Sequence, residues 1–380
     1  MDVRTCYCRN PHCSKYGHSG QQAQLHPRGT HNYAPRFECA TCGTLVFART
    51  STAYAGIRLD EAVYRQGAKM LAEGLAIRAT ARVLEVDKDT VCDWLPILGN
   101  HSMRVIAYHF RDLHLTECQL DELWTFIFKK EKHLDAIEQL AGVYGDAWIW
   151  IAFAPVFKLV PAWVVGKRTA ENARLLVKRL RATTDGHIPF FTTDDLPHYA
   201  EALLEEYGVL YTPPRHPGPG RPPKPRKIPP DDLLYAVVVK RRENGHLVEV
   251  SSHPVYGTPE QIAAVIETSP ISATISTYGV ERNNLTTRQH SRRLGRRVNA
   301  FSKERDYLEY QLALAFAYYH FVVPHSGLRQ QLDQPIPTKG PKGSPKKWLQ
   351  RTPAMAAGVT DHVWTMDELL SFRVPPSSMW

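Results

Sequence analysis

The sequence predicts an α/β chain: a mixed sheet with flanking helices, preceded by two small modules. Three observations carry this. From Thr116 onward, three runs rich in aromatic and β-branched residues follow one another, and helical and strand patterns then alternate. Cysteines cluster in pairs near the start of the chain. Between those pairs and the strands, apolar residues recur at helical spacing.

The bulk numbers bound the reading. At 380 residues and 43% hydrophobic content the chain is expected to form two or three domains around a sizeable core. A net charge of +9 points to a polyanionic partner, nucleic acid or an acidic membrane surface. The start of the sequence lacks the apolar core of a signal peptide, and the longest apolar run, AWIWIAFAPVF, is about half the length a bilayer span needs. A soluble, cytoplasmic protein is therefore expected. Five of the seven cysteines precede residue 43, which suits a metal site in a reducing compartment better than a disulfide framework.

In residues 1–50, Cys8 and Cys13 are separated by 25 residues from Cys39 and Cys42, which Gly43 follows. Each short spacing lets two thiolates grip one side of a tetrahedral ion, the two-knuckle plan of a zinc ribbon. Cys6 can replace Cys8 in this reading, and His12 or His18 can stand in. Zn²⁺ held by four protein ligands is structural, with no open position for chemistry. Residues 57–100 read as three short helices: Leu59, Val63, Met70 and Leu71 mark the first, Ile77, Ala81 and Leu84 the second, and Val91, Trp94 and Leu95 the third. EGLAIRATARVLEVDKDTVCDWL resembles a helix-turn-helix, whose last helix, with Lys88 at its start, would enter a major groove. Asp89 and Asp93 on that helix oppose phosphate contact, and a plain three-helix packing unit is the simpler reading.

Residues 114–325 read as the main domain. ECQLDELWTFIFKK, VYGDAWIWIAF and LVPAWVVGKR are three strands, 169–183 an amphipathic helix, PFFTTD a short buried strand and LPHYAEALLEEYG a helix. Strand-strand-strand-helix-strand-helix is the order of an RNase H-like domain. Asp121 lies inside the first strand, where a carboxylate is costly to bury unless a cation faces it, and Glu122 points to the opposite face. Asp194 ends the PFFTTD strand beside Asp195, and a helix N-cap is its plainer role.

Residues 211–270 read as an insertion. Its first part, 211–230, holds nine prolines, five Lys or Arg and no acid, so an extended linker is expected. Gly220-Arg221-Pro222 resembles part of an AT-hook, which would make Arg221 a DNA contact. YAVVVKRRENGHLVEVSS reads as a hairpin turning at Asn244-Gly245, and PEQIAAVIET as a short helix. DYLEYQLALAFAYYHFVV, apolar nearly all round, is expected to be a buried helix covering the sheet, and 326–380 to be a C-terminal tail.

The stretch YGVERNNLTTRQHSRRLGRRVNAFSK, from Tyr278 to Lys303, has a single acid among many arginines. A helix to about Leu294 is expected, with Gly295 as a possible break. At ~100° per residue, Arg288 and Arg292 fall within roughly 20° of Glu281 on the helix wheel. One carboxylate thus heads a stripe of guanidinium groups without the usual acidic partners of a structural helix. A solvated basic face is the plain reading. The sharper one lays the helix along nucleic-acid phosphates, with Arg288, Arg292, Arg293, Arg296 and Arg297 as contacts.

ERNNLTTRQHSRRLGRRVNAFSK resembles the last catalytic block of bacterial insertion-sequence transposases of the DDE type, most closely the insertion-sequence-one family, and LDELW and TTDDLPHY match its first two acid blocks. The resemblance implies an RNase H-like fold, with Asp121, Asp194 and Glu281 as catalytic residues holding two Mg²⁺ or Mn²⁺ ions, although the doubled aspartate leaves Asp194 or Asp195 open. It implies nicking at the ends of a mobile element and joining of the freed 3′-hydroxyl to target DNA, by a homodimer or larger assembly on double-stranded DNA. No phosphate-cradling Walker sequence is present, so no nucleotide cofactor is expected. Two rivals share the residues. A tyrosine recombinase would use Arg288, His290, Arg293 and one of Tyr307, Tyr310, Tyr318 or Tyr319, but leaves Asp121 without a role. A DNA-binding regulator would keep the two small modules and carry a silent catalytic half.

Overall fold

The computed structural model describes residues 3–31, 34–214, 223–296, 298–337 and 343–376. The chain divides into two compact units. Unit 1 comprises Met1–His109, Gln289–Ala300 and Asp306–Trp380; unit 2 comprises Phe110–Arg288 and Phe301–Arg305.

Unit 1 opens with a three-stranded antiparallel sheet, β1 (Leu25–His31), β2 (Ala34–Cys39) and β3 (Leu45–Phe47). Three helices follow: α1 (Glu61–Ala72), α2 (Ile77–Leu84) and α3 (Lys88–His109). The Asp60 side chain caps α1 by accepting from the Ala62 and Val63 N–H groups, and Glu85, in the left-handed conformation, ends α2. Tyr64 and Leu71 of α1 and Val91, Trp94, Leu95 and Leu98 of α3 are all buried, and the Tyr64 and Trp94 rings stand edge to face at 5.2 Å. The third helix, expected to end near residue 100, runs on to His109 because Ser102, Val105 and Ile106 continue its buried stripe.

Unit 2 is built on a mixed six-stranded sheet with flanking helices. Its elements in chain order are β4 (Glu117–Ile127), α4 (Ala136–Ala141), β5 (Gly145–Ala154), β6 (Leu159–Gly166), α5 (Ala170–Arg181), β7 (Phe190–Asp194) and α6 (Pro197–Tyr207). A small pair, β8 (Val209–Tyr211) with β9 (Arg226–Ile228), precedes β10 (Tyr235–Glu243), β11 (His246–Tyr256), α7 (Pro259–Thr268) and α8 (Tyr278–Gln289). The sheet order is β11-β10-β7-β4-β5-β6. β4, β5 and β6 are antiparallel neighbours; β7 runs parallel to β4, β10 parallel to β7, and β11 returns antiparallel.

The segment read as an insertion thus supplies two strands of the main sheet. Tyr235, Ala236, Val237 and Val238 are buried because β10 is an inner strand, and its hairpin turns at Asn244 (φ 48°) and Gly245 (φ 82°). The AT-hook reading of Arg221 lies outside the described residues, as does Arg297.

The remaining elements are α9 (Arg305–Phe321), β12 (Gln330–Ile336), β13 (Lys346–Leu349), α10 (Pro353–Ala356) and α11 (Met366–Ser371). α9 is buried almost throughout and belongs to unit 1, where Gln311 donates to the Leu71 carbonyl at 2.8 Å and Tyr318 to Glu73 at 2.7 Å. The stretch expected to be a tail also enters unit 1. Leu369 and Leu370 are fully buried, Ala53 N–H donates to the Leu370 carbonyl at 2.8 Å, and the Tyr54 hydroxyl to Asp367 at 2.6 Å. Among the described residues no helix is long and apolar enough to cross a membrane.

Candidate functional site

Two sites emerge, one in each unit. In unit 1, Cys8, Cys13, Cys39 and Cys42 bring their sulfurs within 4.8 Å of one another. Cys8 and Cys42 stand 3.6 Å apart, Cys13 and Cys39 3.8 Å. An ion at the centre of a tetrahedron with metal–sulfur bonds of about 2.3 Å separates its sulfurs by about 3.8 Å, so the cluster fits Zn²⁺. The knuckles are turns: Gly43, at φ 70°, donates its N–H to the Cys39 carbonyl at 2.9 Å. Burial pushes the Cys8 thiol up to about 12, whereas hydrogen bonds with Thr44 hold Cys42 down to about 6. Cys6 takes no part; it packs with Val46 and Ala48.

In unit 2 the three sequence-predicted acids come from β4, β7 and α8. Gln119 pairs with Thr192 and Leu120 with Thr193 across β4 and β7, and Asp194 pairs with Val238 across β7 and β10. Paired residues in parallel strands point to one side, and side chains alternate along a strand. Gln119, Asp121, Thr192, Asp194, Val238 and Lys240 therefore share a face. α8 docks on that face through Gln119, which donates to the Ser276 carbonyl at 2.9 Å and accepts from the Val280 N–H at 2.7 Å. Gly279 permits the approach, since a Cβ there would lie 2.7 Å from the Gln119 oxygen. Glu122, on the opposite face, is held by Arg168 at 3.0 Å and by the Tyr199 hydroxyl at 3.0 Å.

Asp194 and Glu281 are joined by two shared donors. The Thr277 hydroxyl lies 3.1 Å from Asp194 Oδ1 and 2.8 Å from Glu281 Oε1. The Lys240 ammonium lies 3.0 and 3.3 Å from the two Asp194 oxygens, 3.1 Å from Thr277 Oγ1, and also binds Glu281 Oε1. Burial pulls the Glu281 carboxyl upward, but Lys240 and Thr277 outweigh it and hold the group below the usual carboxylate range. Burial likewise pulls Lys240 down, and the two carboxylates more than restore it. Asp194 carries these contacts, not Asp195. Asp121 is tied to the same helix by Asn284, whose Nδ2 donates to Asp121 Oδ2 at 2.6 Å. Burial first, then the charge of Glu122, push the Asp121 carboxyl up to about 7, and Asp194 and Glu281 add to the effect.

As the side chains stand, a divalent ion does not fit between Asp194 and Glu281, because the Lys240 ammonium is already there. Among the described residues only the four cysteines gather three or more metal-ligating atoms closely enough to share an ion.

The arginines separate. Arg288 lies in the last turn of α8, two turns beyond Glu281, as the wheel requires. Arg292 does not continue the stripe, because α8 stops at Gln289 and Ser291 turns extended (φ −140°, ψ 103°). The break lets Ser291 and Leu294 enter the core of unit 1, where His290 also binds the Ala72 carbonyl at 3.1 Å. Arg292 and Arg296 are exposed, and Arg293 is half-buried with its guanidinium 5.9 Å from the Tyr307 ring. Lys88 is exposed and paired with Asp89 at 2.7 Å.

Comparison with protein-family models gave no match, and neither did comparison with curated proteins.

Lys240, Thr277, Asn284 and Gln119 were not read from the sequence. For Lys240 a signal exists: it is the first charge after the apolar run YAVVV, where a buried strand reaches its polar end.

Proposed function

We propose that this chain is a DDE-type transposase. In this reading it binds the ends of an insertion element, nicks DNA to expose a 3′-hydroxyl, and joins that hydroxyl to target DNA by phosphoryl transfer. The observation that carries it is the meeting of Asp194 and Glu281, from a strand and a helix distant in sequence, on the sheet face that also bears Asp121. Like charges at close range disfavour one another, so such carboxylates gather around a cation, here the Lys240 ammonium and, in this reading, a divalent ion. The sheet adds support, with three antiparallel strands followed by two parallel ones on the far side of β4, an order expected of an RNase H-like domain. The four-cysteine cluster and the α2–α3 pair, read as a zinc ribbon and a helix-turn-helix, would find the DNA end, and the net charge of +9 suits that partner. The chemistry that the resemblance implies uses two Mg²⁺ or Mn²⁺ ions, and Lys240 would have to leave the carboxylate pair for one to enter between them.

The test is incubation of the purified protein with candidate element ends and Mg²⁺ or Mn²⁺. Wild type is expected to nick, while Asp121→Asn, Asp194→Asn and Glu281→Gln lose nicking and keep end binding. A wild-type protein that binds ends and never cuts them sinks the proposal. Lys240 is the observation that favours a second reading, a transposase-derived DNA-binding regulator whose acids are permanently neutralised.

A further inference from the structure

We infer that Lys240 is the resident cation of the acidic cluster, and that a divalent ion enters between Asp194 and Glu281 only by displacing it. The inference rests on the transposase reading insofar as that reading makes the acids an ion site.

The geometry is that of a filled cation position. An ammonium has three N–H donors, and Lys240 has three acceptor groups around it: Asp194, Glu281 and the Thr277 hydroxyl. All are oxygens of the kind that hard divalent ions select. Lys240 comes from the sheet, two residues beyond Val238, which pairs with Asp194, so the strand itself delivers it to the acids. The lysine side chain is the more enclosed partner, 21% exposed against 46% for each carboxylate, so the acids keep a face open to solvent. Arg242, two residues further along β10, adds positive charge near Glu281, and Asp121 adds negative charge from β4. Two carboxylates sharing a hydroxyl need a positive charge between them. The flexible four-carbon stem of a lysine allows that charge to withdraw, which a rigid, bidentate guanidinium does less readily.

A lysine that only braced the fold would not control what else the carboxylates bind. The test is therefore Mn²⁺ binding to the full-length, zinc-loaded protein without DNA, followed by the electron paramagnetic resonance signal of free Mn²⁺. Lys240→Met is expected to bind Mn²⁺ at least ten-fold more tightly than wild type. That gain should vanish in Lys240→Met/Asp194→Asn, and Lys240→Arg should show none. Equal affinity in wild type and Lys240→Met overturns the inference, as does a gain that survives Asp194→Asn. If Lys240→Met fails to fold in the absence of ions, circular dichroism supplies the readout: refolding on adding Mn²⁺ supports the inference, and no refolding overturns it. The two readings fail separately. A Lys240→Met protein that gains the ion while no form ever nicks DNA keeps this inference and ends the transposase proposal. A wild type that nicks DNA while Lys240→Met binds Mn²⁺ no better does the reverse.

Discussion

Asn284 stands one turn beyond Glu281 on α8 and donates a 2.6 Å hydrogen bond to Asp121. The helix that carries the third acid therefore also holds the first in place. Asn284→Ala removes this link and leaves α8 otherwise intact. It is expected to cost about 1–2 kcal/mol of stability, measured by urea unfolding, and to lower nicking at least as much as it lowers stability. A variant that unfolds like wild type would show that the bond is not made in solution.

Asp121 sets a pH dependence. Its carboxyl is pushed up to about 7 in the folded protein, whereas an unfolded aspartate titrates near pH 4. Between those values the folded state holds a proton that the unfolded chain has released. Stability contributed by this group therefore falls as pH rises from about 4 to about 7 and stays lost above that. Asp121→Asn does not titrate. Without added divalent ions, the variant should gain stability over wild type between pH 5 and pH 8, by an amount on the order of a few kcal/mol. A constant difference across that range would contradict the environment described for Asp121.

The cysteine cluster predicts a metal count. Purified protein should carry about one Zn²⁺ per chain, released by a chelator with loss of β1–β3 structure. Cys13→Ser or Cys39→Ser should abolish it. Cys6→Ala should leave it unchanged, because Cys6 packs in the apolar cluster with Val46. Zinc content by mass spectrometry under non-denaturing conditions checks all three.

Leu370 is fully buried, and its carbonyl accepts from Ala53. Leu370→Ala is expected to cost about 3 kcal/mol, read as a lowered midpoint for unit 1 in thermal unfolding followed through tryptophan fluorescence. A cost below ~1 kcal/mol would mean that this segment lies on the surface of unit 1.

How much of this was legible depended on whether the signal was local. Alternation in ECQLDELWTFI, the Asn244-Gly245 turn and the paired cysteines are short-range patterns, and each formed the element expected of it. What was not legible needed a partner. α9 is apolar nearly all round, so its sequence says that it is buried without saying against what, and in unit 1 it bonds to Leu71 and Glu73. α8 ends at Gln289 because Ser291 and Leu294 enter a core built by distant residues. Arg292 thereby left the stripe. Lys240 is not legible for a similar reason, since its strand reads as part of an insertion and the acids it joins come from elsewhere in the chain.

The bond from Ala53 to Leu370 also fixes a timetable. On the ribosome the first hundred residues emerge early, yet a wall of their core arrives only once residues 364–374 have been made. The six-stranded sheet, by contrast, has every strand in hand at Tyr256. Every strand of the sheet is therefore in the chain well before the segment that closes the core around Ala53 and Tyr54.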